Sequence, residues 1–247
     1  MGISFNTMLD KIKILLENSV KEQEQIKIAE LRTLQAQINP HFLYNTLDSI
    51  IWLAENQKSE EVIDIVNALT TFFRISLSKG KDRITIQDEI VHITNYLTIQ
   101  RMRYRDILDY EIRVDENILS CSILKMTLRP LVENALYHGI KNKRGKGCIR
   151  ITGGFVSQAL IELKISDNGA GMTKEKVDGL MISLQQQVKD TQKNESGFGL
   201  RNVHQRIRLY HGEPYGISIE SESGMGTTVI VTLPIRREFD EESAVSG

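Results

Sequence analysis

Cysteine is almost missing from this chain. Cys121 and Cys148 are the only 2, too few and too widely spaced for a disulfide framework or a paired-cysteine metal site. They read as small apolar packing groups in a reducing compartment. Proline is scarce as well, at 4 in 247 residues, which suits a helix-rich chain. No apolar run approaches the roughly 20 residues that span a bilayer, and no signal peptide is visible. An excess of either charge is lacking too. With 31 Lys and Arg against 32 Asp and Glu the net charge is −1, so no global basic footprint points to nucleic acid or an anionic membrane. What is present, 40% hydrophobic and 26% charged residues, is globular composition at a length of one large or two ordinary domains. No internal repeat is visible.

From Phe5 to Ile38 apolar residues recur every three or four positions among Lys, Glu and Gln. That spacing predicts a partner-facing helix, a coiled coil. The pattern is already under way at Phe5 with no cap before it, which implies a piece of a longer protein. A second helix is predicted from Pro40 to about Asn56. A third, capped by Ser59 and stopped by Gly80, carries Val62, Ile65, Leu69, Phe72, Phe73 and Leu77 on one face. Two such helices expose more apolar surface than one chain covers, so residues 26–80 are expected to form a four-helix bundle with a second copy. Asp88 is expected to cap the next helix. Beyond it come strands over Tyr110–Val114, Cys148–Phe155 and Ala159–Ser166. A helix over 128–139 begins near Pro130 and ends at Gly139. Met172–Ser196 is polar and weakly patterned. A helix over Leu200–Tyr210 and a hairpin over 217–233 follow. The second half is thus an α+β sandwich with a largely antiparallel sheet.

The first chemical signal is Gln37-Ile38-Asn39-Pro40-His41-Phe42-Leu43-Tyr44-Asn45. Proline inside a helix removes a hydrogen bond, while Asn39 and Pro40 suit a new helix start. His41 then falls in the first turn, where the positive helix end disfavours imidazolium. Neutral imidazole is a nucleophile. A lone helical histidine is more often structural, so this stretch alone decides nothing.

Four motifs lie in the second half. Asn134 and His138 share a helix face behind Glu133. An amide oxygen suits Mg²⁺, and a terminal histidine suits either a phosphate or the helix dipole. Asp167-Asn168-Gly169-Ala170-Gly171 follows an apolar strand. Asp167 can accept from an adenine amino group, though the same residues make hairpin turns. No matching strand follows, which favours a site beneath a mobile lid. Gly197-Phe198-Gly199-Leu200 opens a helix whose free amides suit phosphate. Gly224-Met225-Gly226-Thr227 fits a turn as well as a site.

In this order the four motifs resemble the N, G1, G2 and G3 boxes of the GHKL ATP-binding fold. With Asn-Pro-His-Phe-Leu-Tyr-Asn and Pro-Leu-Val-Glu-Asn-Ala-x-x-His-Gly, the chain resembles sensor histidine kinases of the LytS/YesM type from Phe5 to Pro234. The resemblance implies a division into 1–25, the end of a HAMP-like signalling helix; 26–82, a dimerisation and phosphoacceptor hairpin; 83–236, the ATP-binding domain; and 237–247, a disordered tail. It implies His41 as phosphoacceptor, Asn134 as Mg²⁺ ligand and Asp167 as adenine contact. Gly169, Gly171, Gly197, Gly199 and Leu200 would shape the pocket, with His138 and Thr227 at its border. Phe42 stands where many such kinases carry an acid, so Glu133 is taken as the base. Tyr137 stands where many carry a basic residue.

The implied reaction is ATP- and Mg²⁺-dependent phosphorylation of His41 in a homodimer, then transfer to an aspartate of a response regulator. A hinge near residues 80–90 would let the ATP domain reach His41. The implied location is the cytoplasmic side of a bacterial plasma membrane, anchored through segments before this chain. The alternatives are a GHKL ATPase that closes a clamp and a non-enzymatic dimeric signalling scaffold.

Overall fold

The computed structural model describes residues 40–77, 82–185 and 198–236. The predicted coiled coil, Asn39, Gly80, Gly197 and the tail lie outside them. The chain forms two compact units that part between Trp52 and Leu53.

The described part of the first unit is most of helix α1 (Pro40–Glu55). Phe42 and Thr46 are buried, and the Thr46 hydroxyl donates to the Phe42 carbonyl one turn back at 2.8 Å. Tyr44, Leu47 and Ile51 stand exposed at helical spacing.

The second unit contains helix α2 (Ser59–Ser76). Ser59 is its first helical residue, and Lys58 precedes it without a side-chain cap, so the expected Ser59 cap is not formed. Glu60 and Glu61 complement the positive end. Helix α3 (Ile86–Arg103) is capped by Thr85, whose hydroxyl accepts from the Asp88 amide at 3.0 Å. The cap therefore lies three residues before Asp88. Helices α2 and α3 pack together. Phe72 stacks on His92 at 4.5 Å between ring centres, and His92 Nε2 meets the Ser76 hydroxyl at 2.9 Å. Burial pushes the His92 imidazole down to about 3, so it is a neutral core residue.

Strand β1 (Arg83–Thr85) pairs antiparallel with β3 (Ser122–Leu124) in a small separate sheet. Three residues carry too little alternation to show in a sequence. The main sheet comprises β2 (Leu108–Val114), β4 (Gly147–Phe155), β5 (Leu160–Asp167), β6 (Gly216–Glu222) and β7 (Gly226–Pro234). Its order is β2-β4-β5-β7-β6, with β2 parallel to β4 and every other pair antiparallel. The expected mixed, largely antiparallel sheet is thus present.

One sheet face is apolar. Along β5, Ile161, Leu163 and Ile165 point inward and Glu162, Lys164 and Ser166 point outward. Register places Ile151, Ile165 and Val229 side by side, and next to them Gly153, Leu163 and Val231. Helices α4 (Arg129–Asn134) and α6 (Phe198–His211) cover this face with Leu131, Val132, Leu200, Val203 and Ile207. The weakly patterned stretch holds helix α5 (Lys174–Gln185), in which Leu184 is the one buried residue. Val177, Leu180, Met181 and Leu184 recur at helical spacing, but the stripe is short, broken by Gly179 and set in a polar segment.

Leu163 is fully buried at the middle of the middle strand. Leu163→Ala should cost about 2–5 kcal/mol of unfolding free energy, read as a lower urea midpoint at unchanged slope.

Candidate functional site

The alternation that buries Ile161, Leu163 and Ile165 continues one step to Asp167. A carboxyl group is thereby delivered onto the apolar face at the strand's end. It is 8% exposed and accepts from the Gly169 amide at 2.8 Å, and from the Thr227 backbone across the β5–β7 ladder. Burial pushes it up to about 6, against the pull of those amides and of Lys143.

The turn after it needs glycine for room. A Cβ on Gly139 would run into Asp167 Oδ1, and one on Gly169 into the Gly139 carbonyl carbon. Gly171 combines a φ of +63° with direct approach to the Glu222 carbonyl oxygen.

Pro130 sits in the first turn of α4, where its missing amide costs nothing. After Asn134 the helix widens into a π turn, Ala135–Gly139, and then tightens into a 3₁₀ turn, Ile140–Asn142. Such bulges recur at functional sites. Gly139 was expected as a terminating glycine. Its φ of −84° is helical, so it is required for closeness to Asp167, not for a left-handed cap.

The loop entering α4 is braced from two sides. Glu89, fully buried on α3, accepts from the Met126 amide at 3.0 Å and the Leu128 amide at 2.8 Å. Met126, which supplies the first of these amides, has a φ of +58°, sparsely populated for a non-glycine residue. Burial raises the Glu89 carboxyl, and these amides and Arg206 oppose the rise. Arg206 on α6 donates to the Thr127 hydroxyl at 3.2 Å and to the Lys125 carbonyl.

These elements line an open cleft. Asn134, His138, Asp167, Gly171, Leu200 and Thr227, predicted from four separate motifs, all line it. Gly169 sits behind the wall against Gly139. Gly199 opens α6 beside Asn134, where an added Cβ would meet Nδ2 at 3.6 Å. Glu133 is not on the wall. Its carboxylate accepts from Arg129 Nε at 3.1 Å, and the Arg129 guanidinium lies 5.2 Å from the Phe72 ring centre. Tyr137 is also off the wall, with Lys141 Nζ 5.0 Å above its ring. His41 is exposed near the start of α1, in the other unit.

Sequence reasoning missed Met172, Lys176 and Leu180, which bring α5 to the cleft, and the apolar wall of Leu131, Ala135, Ile165 and Val229. The apolar spacing of Val177, Leu180, Met181 and Leu184 was the available signal for α5.

The donor set fits a nucleotide and Mg²⁺. A slot with apolar walls suits a base, and Asp167 suits its amino group. Asn134 offers one amide oxygen to an ion that keeps several waters and phosphate oxygens. Among the described residues no group of three or more His, Cys, Asp or Glu converges as a metal site.

Residues 29–108 match the family model "Histidine kinase", and residues 122–237 match "Histidine kinase-, DNA gyrase B-, and HSP90-like ATPase". The chain belongs to the histidine kinase family. It is similar to the sensor histidine kinase YesM of Bacillus subtilis, with 38% identity over 95% of this chain and 38% of that protein. The sensor histidine kinase BtsS of Escherichia coli is 32% identical over 92% of this chain and 37% of its own length. YwpD of Bacillus subtilis is 32% identical over 83% of this chain and 70% of that protein. The chain thus spans about two-fifths of the first two relatives. Among the described residues no helix is long and apolar enough to cross a membrane.

Asp167 binds its proton more tightly folded than unfolded. Its contribution to stability is therefore fully present below about pH 4 and is lost as pH rises through about 6. Asp167→Asn removes that ionisation. Urea midpoints from about pH 4.5 to 7.5 should fall in the parent relative to the Asn variant, and parallel curves would contradict the burial argument.

Proposed function

We propose that this family member is an autophosphorylating histidine kinase, with ATP in the cleft and His41 as acceptor. The observation that carries the reading is the convergence of Asn134, His138, Asp167, Gly171, Leu200 and Thr227 on one cleft. Asp167 accepts from the adenine amino group, and Gly169, Gly171, Gly197 and Gly199 let the nucleotide approach the backbone. His138 and Thr227 border the nucleotide, Thr227 beside Asp167. Asn134 holds Mg²⁺, which supplies charge neutralisation at the phosphate oxygens.

His41 attacks through a ring-nitrogen lone pair. A nitrogen–phosphorus bond forms, the γ-phosphoryl bond to ADP breaks, and the remaining ring proton passes to Glu133. For that, the Glu133 carboxylate must exchange its contact with Arg129, 3.1 Å away, for the imidazole. Catalysis by the protein is positioning and electrostatics. The phosphoryl group then moves to an aspartate on a response regulator's receiver domain.

The working form is a homodimer. Tyr44, Leu47 and Ile51 on α1 and Ile63 and Val66 on α2 leave apolar side chains exposed, as a shared four-helix bundle requires. Segments outside this chain anchor the intact protein in a bacterial plasma membrane, with these residues on the cytoplasmic side.

Incubation with γ-labelled ATP and Mg²⁺ should give label that is acid-labile and alkali-stable. His41→Gln should abolish it, and Asn134→Ala should lower it about 100-fold or more. Label that survives His41→Gln excludes His41. ATP hydrolysis without any protein label favours the ATPase alternative.

A further inference from the structure

We propose that Lys176 is a further nucleotide contact, the cation that holds the polyphosphate in the cleft and separates ATP from unphosphorylated nucleoside. The inference deepens the reading of the cleft as an ATP site and rests on it. Among the described residues that line the cleft, Lys176 is the one lysine or arginine. It lies on α5 one turn before Leu180, which lines the same wall.

The surrounding cations are engaged elsewhere. Lys143 Nζ donates to the Asn168 carbonyl at 2.7 Å, and Lys143 is the cation that acts on Asp167. Lys141 Nζ donates to the Tyr104 hydroxyl at 3.2 Å and sits 4.8 Å from that ring's centre. Arg129 is paired with Glu133. Lys176 is exposed, and no carboxylate among the described residues pairs with it.

The other polar groups on the wall are the Asn134 amide, the His138 ring, the Asp167 carboxyl and the Thr227 hydroxyl. None is a permanent cation, yet a nucleoside triphosphate brings several negative charges. A lysine's compact charge on a flexible stem can follow that chain of phosphates from the cleft mouth. The base and sugar meet apolar wall and Asp167, so Lys176 should matter only to ligands that carry phosphate.

Calorimetric titration of the full chain with ATP, ADP and adenosine in Mg²⁺ buffer tests this. Lys176→Ala should weaken ATP about 10-fold, and Lys176→Glu more. Lys176→Arg should stay within about threefold of the parent, since charge is kept. Adenosine affinity should change by less than about twofold in all three. Lys176 is exposed on a helix surface, so folding is not at stake, and the Arg variant controls for lost stem packing. Equal ATP affinity in the parent and the Ala variant overturns the inference, as does an equal loss for ATP and adenosine. A parent chain that binds no ATP would instead refute the nucleotide reading itself.

Discussion

The site depends on one carboxyl group carried to the end of an apolar strand. Asp167 occupies the position where the period of β5 demands another Ile or Leu. Putting a carboxyl there costs desolvation, and its raised proton affinity is the sign of that cost. The surroundings are built to limit it. The Gly169 amide and the Thr227 backbone donate to it, and Gly139 lies so close that a methyl group would not fit. A group held this way lines the cleft with its carboxyl fixed by those backbone amides. The π turn follows from the same constraint, because it carries Gly139 against Asp167 while Asn134 and His138 stay on the wall.

A second layer of buried polar groups fixes the helix that carries Asn134. Glu89 has no solvent exposure and gives its two oxygens to the amides of Met126 and Leu128, on either side of Thr127. An unpaired carboxyl at that depth would cost several kcal/mol. The loop holds its positive φ because Glu89 on α3 and Arg206 on α6 grip it from both sides. Three helices distant in sequence thus meet at the start of α4.

Legibility in the sequence followed the same division. Long periodic elements were readable: α1, α2, β4, β5 and the β6–β7 hairpin needed only their apolar spacing. Glycine-flanked polar residues were readable as a site, because Asp167 and Asn134 occupy positions that packing alone would not choose. Glu89 was not, since an acid in a helix's first turn looks like an ordinary answer to the helix dipole. Gly139 was legible as a special residue and misread in mechanism, because closeness and left-handed conformation select the same amino acid. Helix α5 escaped because its apolar stripe, Val177, Leu180, Met181 and Leu184, is short and set in a polar segment around Gly179. It brings Lys176 and Leu180 to the cleft, and Met172 joins them from just before its start.

The placement of α2 constrains how the cleft is brought to an acceptor. Phe72 is 1% exposed, stacked on His92 and faced by the Arg129 guanidinium. Arg129 is itself buried, and its charge is met by Glu133 and by the faces of Phe72 and Tyr96. A hinge near residues 80–90 would have to withdraw Phe72 from this nest. Uncovering a phenylalanine costs about 1.5–3 kcal/mol, and losing the cation–π face adds roughly 0.5–2 more. These two contributions alone, before buried Ile65 and the Ser76–His92 hydrogen bond are counted, hold the packing in more than nine chains of ten. Movement at this joint is therefore opposed, and one opposing contact ends on Glu133, the residue next to Asn134.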